Sequence, residues 1–274
     1  MAHPRFSHTG VAFFLTIAGA AGAQTPHVLW QIGTADQQYR EFALAGDHAS
    51  YNKTFPNDVT FTIGRSDPAK DWSWIHPGPH DAWAGGREHP FVIRFDLAKP
   101  PAACVLRVDI LDAQATATPK LRVNVNGTAG VFTVKPGRGD AALLDASKAR
   151  PQTLSVPIHP SLLRQGENQI TLRAVNGSWL LYDAVALIEK EPGSADIEIE
   201  ARPTVFFVRQ DNRLMQLVHV RIGGVAPKGT ATVRVQVGDQ AAESRLEAPT
   251  LGPIEDDVPV PPGEQPTNVA MVVV

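Results

Sequence analysis

Apolar and polar residues alternate with a period of two along most of the chain. The runs Val92-Ile93-Arg94-Phe95-Asp96-Leu97, Val105-Leu106-Arg107-Val108-Asp109-Ile110 and Leu121-Arg122-Val123-Asn124-Val125 carry the pattern, which marks half-buried β-strands. Asn126-Gly127 joins the third run to Val131-Phe132-Thr133-Val134 and predicts a hairpin, because a type I′ turn needs positive φ at both central residues. Further strands are expected at 59–63, 153–156, 168–173 and 184–188, and then at 197–200, 205–208, 217–222 and 232–237. One helical turn is expected at 160–164, stopped by Gly166. Many short strands at regular spacing predict an all-β protein, with a jelly-roll-like β-sandwich at 24–190. The charged Pro/Gly break at 189–194 separates it from a smaller β-domain of immunoglobulin or fibronectin type at 195–274.

The first 23 residues break the pattern. A polar start with Arg5 leads to Val11-Ala12-Phe13-Phe14-Leu15-Thr16-Ile17-Ala18 and ends in Ala21-Gly22-Ala23, the layout of a cleavable signal peptide. The apolar run is shorter than the ~20 residues needed to span a bilayer. The chain is therefore read as an exported protein, secreted or periplasmic and bacterial, with no membrane span. At the other end the sequence stops inside Val269-Ala270-Met271-Val272-Val273-Val274. An apolar, uncharged edge strand at a terminus is an aggregation hazard, so the chain is expected to continue into further strands and a downstream domain.

Composition narrows the function. Apolar residues make up 43% of the 274 positions and charged ones 19%, which excludes a disordered chain. With 25 basic against 28 acidic residues and no basic block, nucleic acid is not an expected partner. A single cysteine, Cys104, excludes a disulfide framework and a cysteine-based zinc site; it is expected to be a buried, inert thiol. The 22 glycines and 23 prolines fit a turn-rich protein, and several crowd into one segment.

That segment, residues 64–90, is longer than the usual connection in a compact domain. It holds Trp72, Trp74 and Trp83 together with His76, His80 and Arg87. Indole faces beside polar side chains suit a carbohydrate site, where a sugar's apolar face stacks and its hydroxyls accept and donate hydrogen bonds. These six residues are the candidate carbohydrate contacts. The competing reading folds the tryptophans inward to pin the loop. His76 and His80 stand four apart, yet Pro77-Gly78-Pro79 forbids the helix that would make that spacing a metal site. Asp67, Asp71 and Asp81 offer oxygens to a structural calcium without EF-hand spacing. No nucleophile elbow, zinc-binding helix or phosphate loop occurs, so no catalytic residue is assigned. Asp256-Asp257, in a Pro-rich stretch, reads as a solvated turn.

Several separated motifs carry a family resemblance across residues 28–190. Leu29-Trp30-Gln31-Ile32-Gly33, then Asp36 and Glu41-Phe42, resemble the opening of the carbohydrate-binding-like domain III of family 4 rhamnogalacturonan lyases. Ile158 to Leu172, through Ser161-Leu162-Leu163 and Gly166-Glu167-Asn168, and the stretch Ser178 to Val185 resemble its later signature and closing strand. The order of the two domains also resembles the N-terminal part of bacterial family 38 glycoside hydrolase (α-mannosidase-like) proteins. The resemblance implies a non-catalytic accessory module that binds a polysaccharide or oligosaccharide beside a catalytic domain, and it brings no catalytic or metal-binding residue. The rivals are the forepart of a catalytic hydrolase or lyase, and a ligand-free spacer. Within the motifs, Gly33 is expected in a turn, and Trp30 and Phe42 in the core.

Overall fold

The computed structural model describes residues 27–190, 198–223, 229–237, 240–248, 251, 254–261 and 268–273. The expected signal peptide and the Pro192-Gly193 break lie outside the described residues. Two five-stranded sheets come first. One runs in the order β1 (His27–Gly33), β10 (Leu180–Glu189), β5 (Cys104–Ala113), β8 (Gln152–Ile158), with the short β3 (Ile75–His76) also pairing with β10. The other runs β2 (Val59–Thr62), β4 (Pro90–Leu97), β9 (Gly166–Val175), β6 (Lys120–Val125), β7 (Thr128–Thr133). Alternation does what the sequence promised: Phe91, Ile93, Phe95 and Leu97 on β4 and Leu121, Val123 and Val125 on β6 are buried, with partly or fully exposed residues between them. The central strand β10 is instead buried from Leu180 to Ile188, so both of its faces are covered. The β6–β7 hairpin closes at Asn126 (φ 49) and Gly127 (φ 102) as expected.

One pairing sets the position of everything functional. Strands β2 and β4 are parallel neighbours, and a parallel pair cannot be joined by a tight turn; it needs a long crossover. The unusual segment 63–89 is that crossover. On its way it contributes β3 to the opposite sheet, so it straps the two sheets together at one end of the sandwich.

Strands beyond residue 197 pair only among themselves. They form the sheets β11 (Glu198–Gln210), β12 (Arg213–Gly223), β15 (Ile254–Val260) and β14 (Gln240–Ala248), β13 (Gly229–Val237), β16 (Asn268–Val273). These are six strands among the described residues, fewer than the seven of an immunoglobulin constant-type sandwich. Two details differ from expectation. Asp256 and Asp257 sit in β15, opposite Val220 and His219, because their register puts them on a paired strand; Asp257 accepts from His219 Nδ1 at 2.9 Å. The turn expected at 160–164 is a single 3₁₀ turn, Pro160–Leu162, capped by the His159 ring, and Leu163 is already extended. The apolar run at 268–273 pairs along β13 as an edge strand of its sheet.

Candidate functional site

The crossover leaves β2 on a turn and then runs inward. Its first turn, Pro68–Asp71, is capped by Asp67, whose side chain accepts from Ala69 N, and the proline stands at a position that needs no N–H. Asp71 accepts in return from Asp67 N at 2.9 Å. Two of the three aspartates considered for calcium are therefore taken up in closing a turn. Among the described residues no three His, Cys, Asp or Glu side chains gather as a metal-binding group.

The chain then dives inward. Trp72 is fully buried, with its ring centroid 5.2 Å from both Phe91 and Tyr182. Trp74 is fully buried against Tyr39 at 4.5 Å. His76 is also fully buried, stacked on Phe91 at 3.9 Å. Its Nδ1 lies 2.6 Å from Tyr182 Oη and its Nε2 lies 2.8 Å from the His89 carbonyl. The Ala174 N–H also points at Nε2, at 3.2 Å, so the neutral ring is held by three contacts. Burial holds the ring neutral, with its pKa lowered to about 3. Three of the six predicted contacts thus present no surface to a sugar. They hold the strap in place.

The remaining three separate. Arg87 is exposed but paired in bidentate fashion with Asp58, both contacts 2.9 Å. Asp58 also meets His89 Nδ1 at 2.6 Å. This pair has the geometry of an acid–base dyad, yet His89 is fully buried, so no substrate reaches it. His80 is exposed, and its backbone N–H donates to Gly177 O. Trp83, half-buried, lies on the 3₁₀ turn Ala82–Ala84 and faces a cleft.

That cleft encloses about 510 Å³, within the ~300–1,000 Å³ range of small-molecule sites. Its apolar wall consists of Trp83, Leu143, Leu144 and the base of Trp179, with Ile75 beneath. Leu144 is 89% exposed, an isolated apolar side chain left to solvent at the rim. His48 stands edge-on to Trp83 with ring centroids 5.1 Å apart. Gln114, Asp140, Asp81 and Ser178 supply the polar groups.

Asp81 organises the floor. Its carboxylate accepts from Gly78 N at 2.8 Å, from the Ser178 hydroxyl and from the Trp83 indole. Burial raises its pKa, and the three hydrogen bonds offset part of that rise. The indole is therefore fixed in orientation, and Asn52 adds a bond from Nδ2 to the Trp83 carbonyl at 3.0 Å. Gly78 is needed here, since a Cβ would lie 2.3 Å from Ser178 O. Gln114 Oε1 accepts from Thr116 N at 2.8 Å, leaving its amide N–H groups to donate.

Sequence reasoning found Trp83 but not its neighbours. His48, Gln114 and the pair Asp140 and Leu144 come from three separate connections, and no spacing rule joins the three. Asp81 carried a possible calcium role and Trp179 a place in the closing-strand motif; their shared cleft leaves no mark in the sequence.

The comparisons with known proteins bear on this geometry. Residues 28–187 match the family described as "CBM-like: Polysaccharide lyase family 4, domain III". The chain belongs to this family. A rhamnogalacturonate lyase of Dickeya dadantii is 30% identical over 184 residues, covering 64% of this chain and 30% of the relative, so the chain spans about a third of that enzyme's length. Among solved structures, a β-D-mannosidase from Dictyoglomus thermophilum aligns at 10% identity and TM-score 0.26, covering 63% of this chain and 24% of that one. A GH2 β-galacturonidase from Eisenbergiella tayi, solved with galacturonate, aligns at 13% and 0.23, covering 67% and 31%. These TM-scores are too low to carry a fold assignment. In the CBM-like domain the family motifs have structural roles: Trp30 and Phe42 are buried in the core, and Gly33 takes φ +76 with Phe42 against it.

Proposed function

We propose that this chain is an exported accessory module that binds carbohydrate for a polysaccharide-degrading enzyme and does no catalysis itself. The observation that carries the reading is the cleft lined by Trp83: an indole hydrogen-bonded to Asp81, apolar lining from Leu143, Leu144 and Trp179, and polar lining from Gln114, Asp140 and His48. Such a mix of one flat apolar face and a few oriented polar groups suits a sugar ring. Membership of a CBM-like family supports it, and the leader-like first 23 residues support export. The match to about a third of a lyase supports a partner catalytic domain, whether of lyase or of α-mannosidase-like type. The burial of Trp72 and Trp74 favours a second reading, a spacer without ligand.

Titration with pectic and mannan oligosaccharides, followed by tryptophan fluorescence and calorimetry, separates the two. Saturable binding that Trp83→Ala weakens at least tenfold is the expected result. A folded protein that binds no glycan leaves the spacer reading in place.

A further inference from the structure

The charge of the cleft is one-sided. None of its lining residues is Lys or Arg, while two are Asp. Asp140 opens the helical turn Ala141–Leu144 but makes no side-chain capping bond, and among the described residues its exposed carboxylate has no hydrogen bond or ion pair. Asp81 is held by internal donors, so its oxygens face inward groups, and the free acceptor presented to a ligand is Asp140. Around the lining, Asp47 lies beside His48 and Asp145 beside Leu144; Asp145 is paired with Lys148 at 3.8 Å, and the flanking cations Arg138, Arg40 and Lys148 stand outside the lining. Arg87, the guanidinium nearest in sequence to Trp83, is committed to Asp58.

An anionic sugar is bound by guanidinium or ammonium groups that pair with its carboxylate. The lining of this cleft has none, and Asp140 contributes an unpaired carboxylate to it. Like charges in a partly desolvated site repel. The apolar wall and the amide of Gln114 suit hydroxyls and C–H faces instead. Resting on the carbohydrate-binding reading above, we infer that the cleft selects uncharged oligosaccharides and discriminates against uronates. The module then anchors its enzyme to neutral stretches or side chains of a polysaccharide and not to an acidic backbone.

The test uses the whole chain. Calorimetric titration compares galactotetraose and mannotetraose with tetragalacturonate and tetraglucosamine at two salt concentrations. At least one neutral tetramer is expected to bind tenfold or more tightly than tetragalacturonate, with little dependence on salt. Raising the salt is expected to narrow the gap, because screening weakens repulsion. Asp140→Lys is expected to raise the ratio of uronate to neutral affinity at least tenfold, and Asp140→Asn to move it the same way by less. Circular dichroism checks that both variants fold, which the absence of a capping bond favours. Tetragalacturonate binding as tightly as the neutral sugars, or tetraglucosamine binding tenfold more tightly, would overturn the inference while leaving carbohydrate binding standing. Failure of every glycan to bind removes both.

Discussion

His76 shows most plainly how one residue ties sequence to stability. It lies between Phe91 and Tyr182 and is neutral, because a charged ring has no solvent to turn to. Its folded pKa is lowered to about 3, whereas the unfolded chain has the ordinary value of about 6.5. A depressed folded pKa gives stability that is complete above the unfolded value and lost as pH falls through the folded one. Below about pH 6.5 the unfolded state therefore gains a proton that the native state refuses, which weakens the fold by roughly 1.4 kcal/mol per pH unit. Urea denaturation between pH 4 and 6 is expected to show a wild-type slope steeper by about that amount than His76→Gln; parallel slopes would count against it. Gly33 provides a second prediction. A Cβ there would lie 2.3 Å from Phe42 Cζ and 2.7 Å from Asp183 O, at φ +76. Left-handed backbone costs about 1–2 kcal/mol and overpacking about 1–3 more, so Gly33→Ala is expected to lower the unfolding free energy by roughly 2–5 kcal/mol. Asp183 itself, whose Oδ1 is 2.9–3.3 Å from the N–H groups of Asp36, Gln37 and Gln38, and Asn168, with its side chain bonded to Arg164, Gly166 and Asn126, give the family motifs a structural meaning without a ligand.

At the scale of elements the crossover decides what each tryptophan does. Trp72 fills the core and Trp83 is half-buried at the cleft, although both lie in the same Pro- and Gly-rich stretch. Trp72→Ala is expected to cost about 3–5 kcal/mol, the usual penalty for emptying a large core site; Trp83→Ala is expected to cost about 1 kcal/mol and to act on glycan affinity. Chemical denaturation of both variants checks the contrast, and equal losses would mean that Trp83 is also a core residue. The sequence made the strands legible because their alternation is local: β4, β6 and the Asn126-Gly127 hairpin follow from period and turn chemistry alone. It did not show that β2 and β4 run parallel, since direction is a property of the pairing and leaves no local mark. Without that, a 27-residue connection reads as a functional loop, when its length is first a requirement of topology. The same limit hid the cleft. His48, Gln114 and Asp140 meet only because the ends of unrelated strands converge there. Strand β14, Gln-Ala-Ala-Glu-Ser-Arg-Leu-Glu-Ala, escaped notice because its residues favour helix, and pairing with β13 overrides that preference.

Across the whole molecule, two groups of sheets share no backbone ladder. Strands β1 to β10 close within residues 27–189, and β11 to β16 pair beyond them. Among the described residues after 197, Leu251, 3% exposed, is the one that joins the main core cluster of the first group. Sheets that share no ladder keep their own hydrogen bonds when the other group opens, and such groups open as separate cooperative units. The two groups are therefore expected to unfold separately. Differential scanning calorimetry of the whole chain should resolve two transitions, and a fragment of residues 27–190 should melt as one, with calorimetric and van't Hoff enthalpies equal. Because every lining residue of the cleft falls between Gly46 and Trp179, that fragment should also keep the parent's glycan affinity within about threefold. A fragment that folds but loses affinity would mean that residues beyond 190 shape the cleft. A single transition in the whole chain would mean that the contact around Leu251 extends further than one side chain, and Leu251→Ala would then be expected to split it.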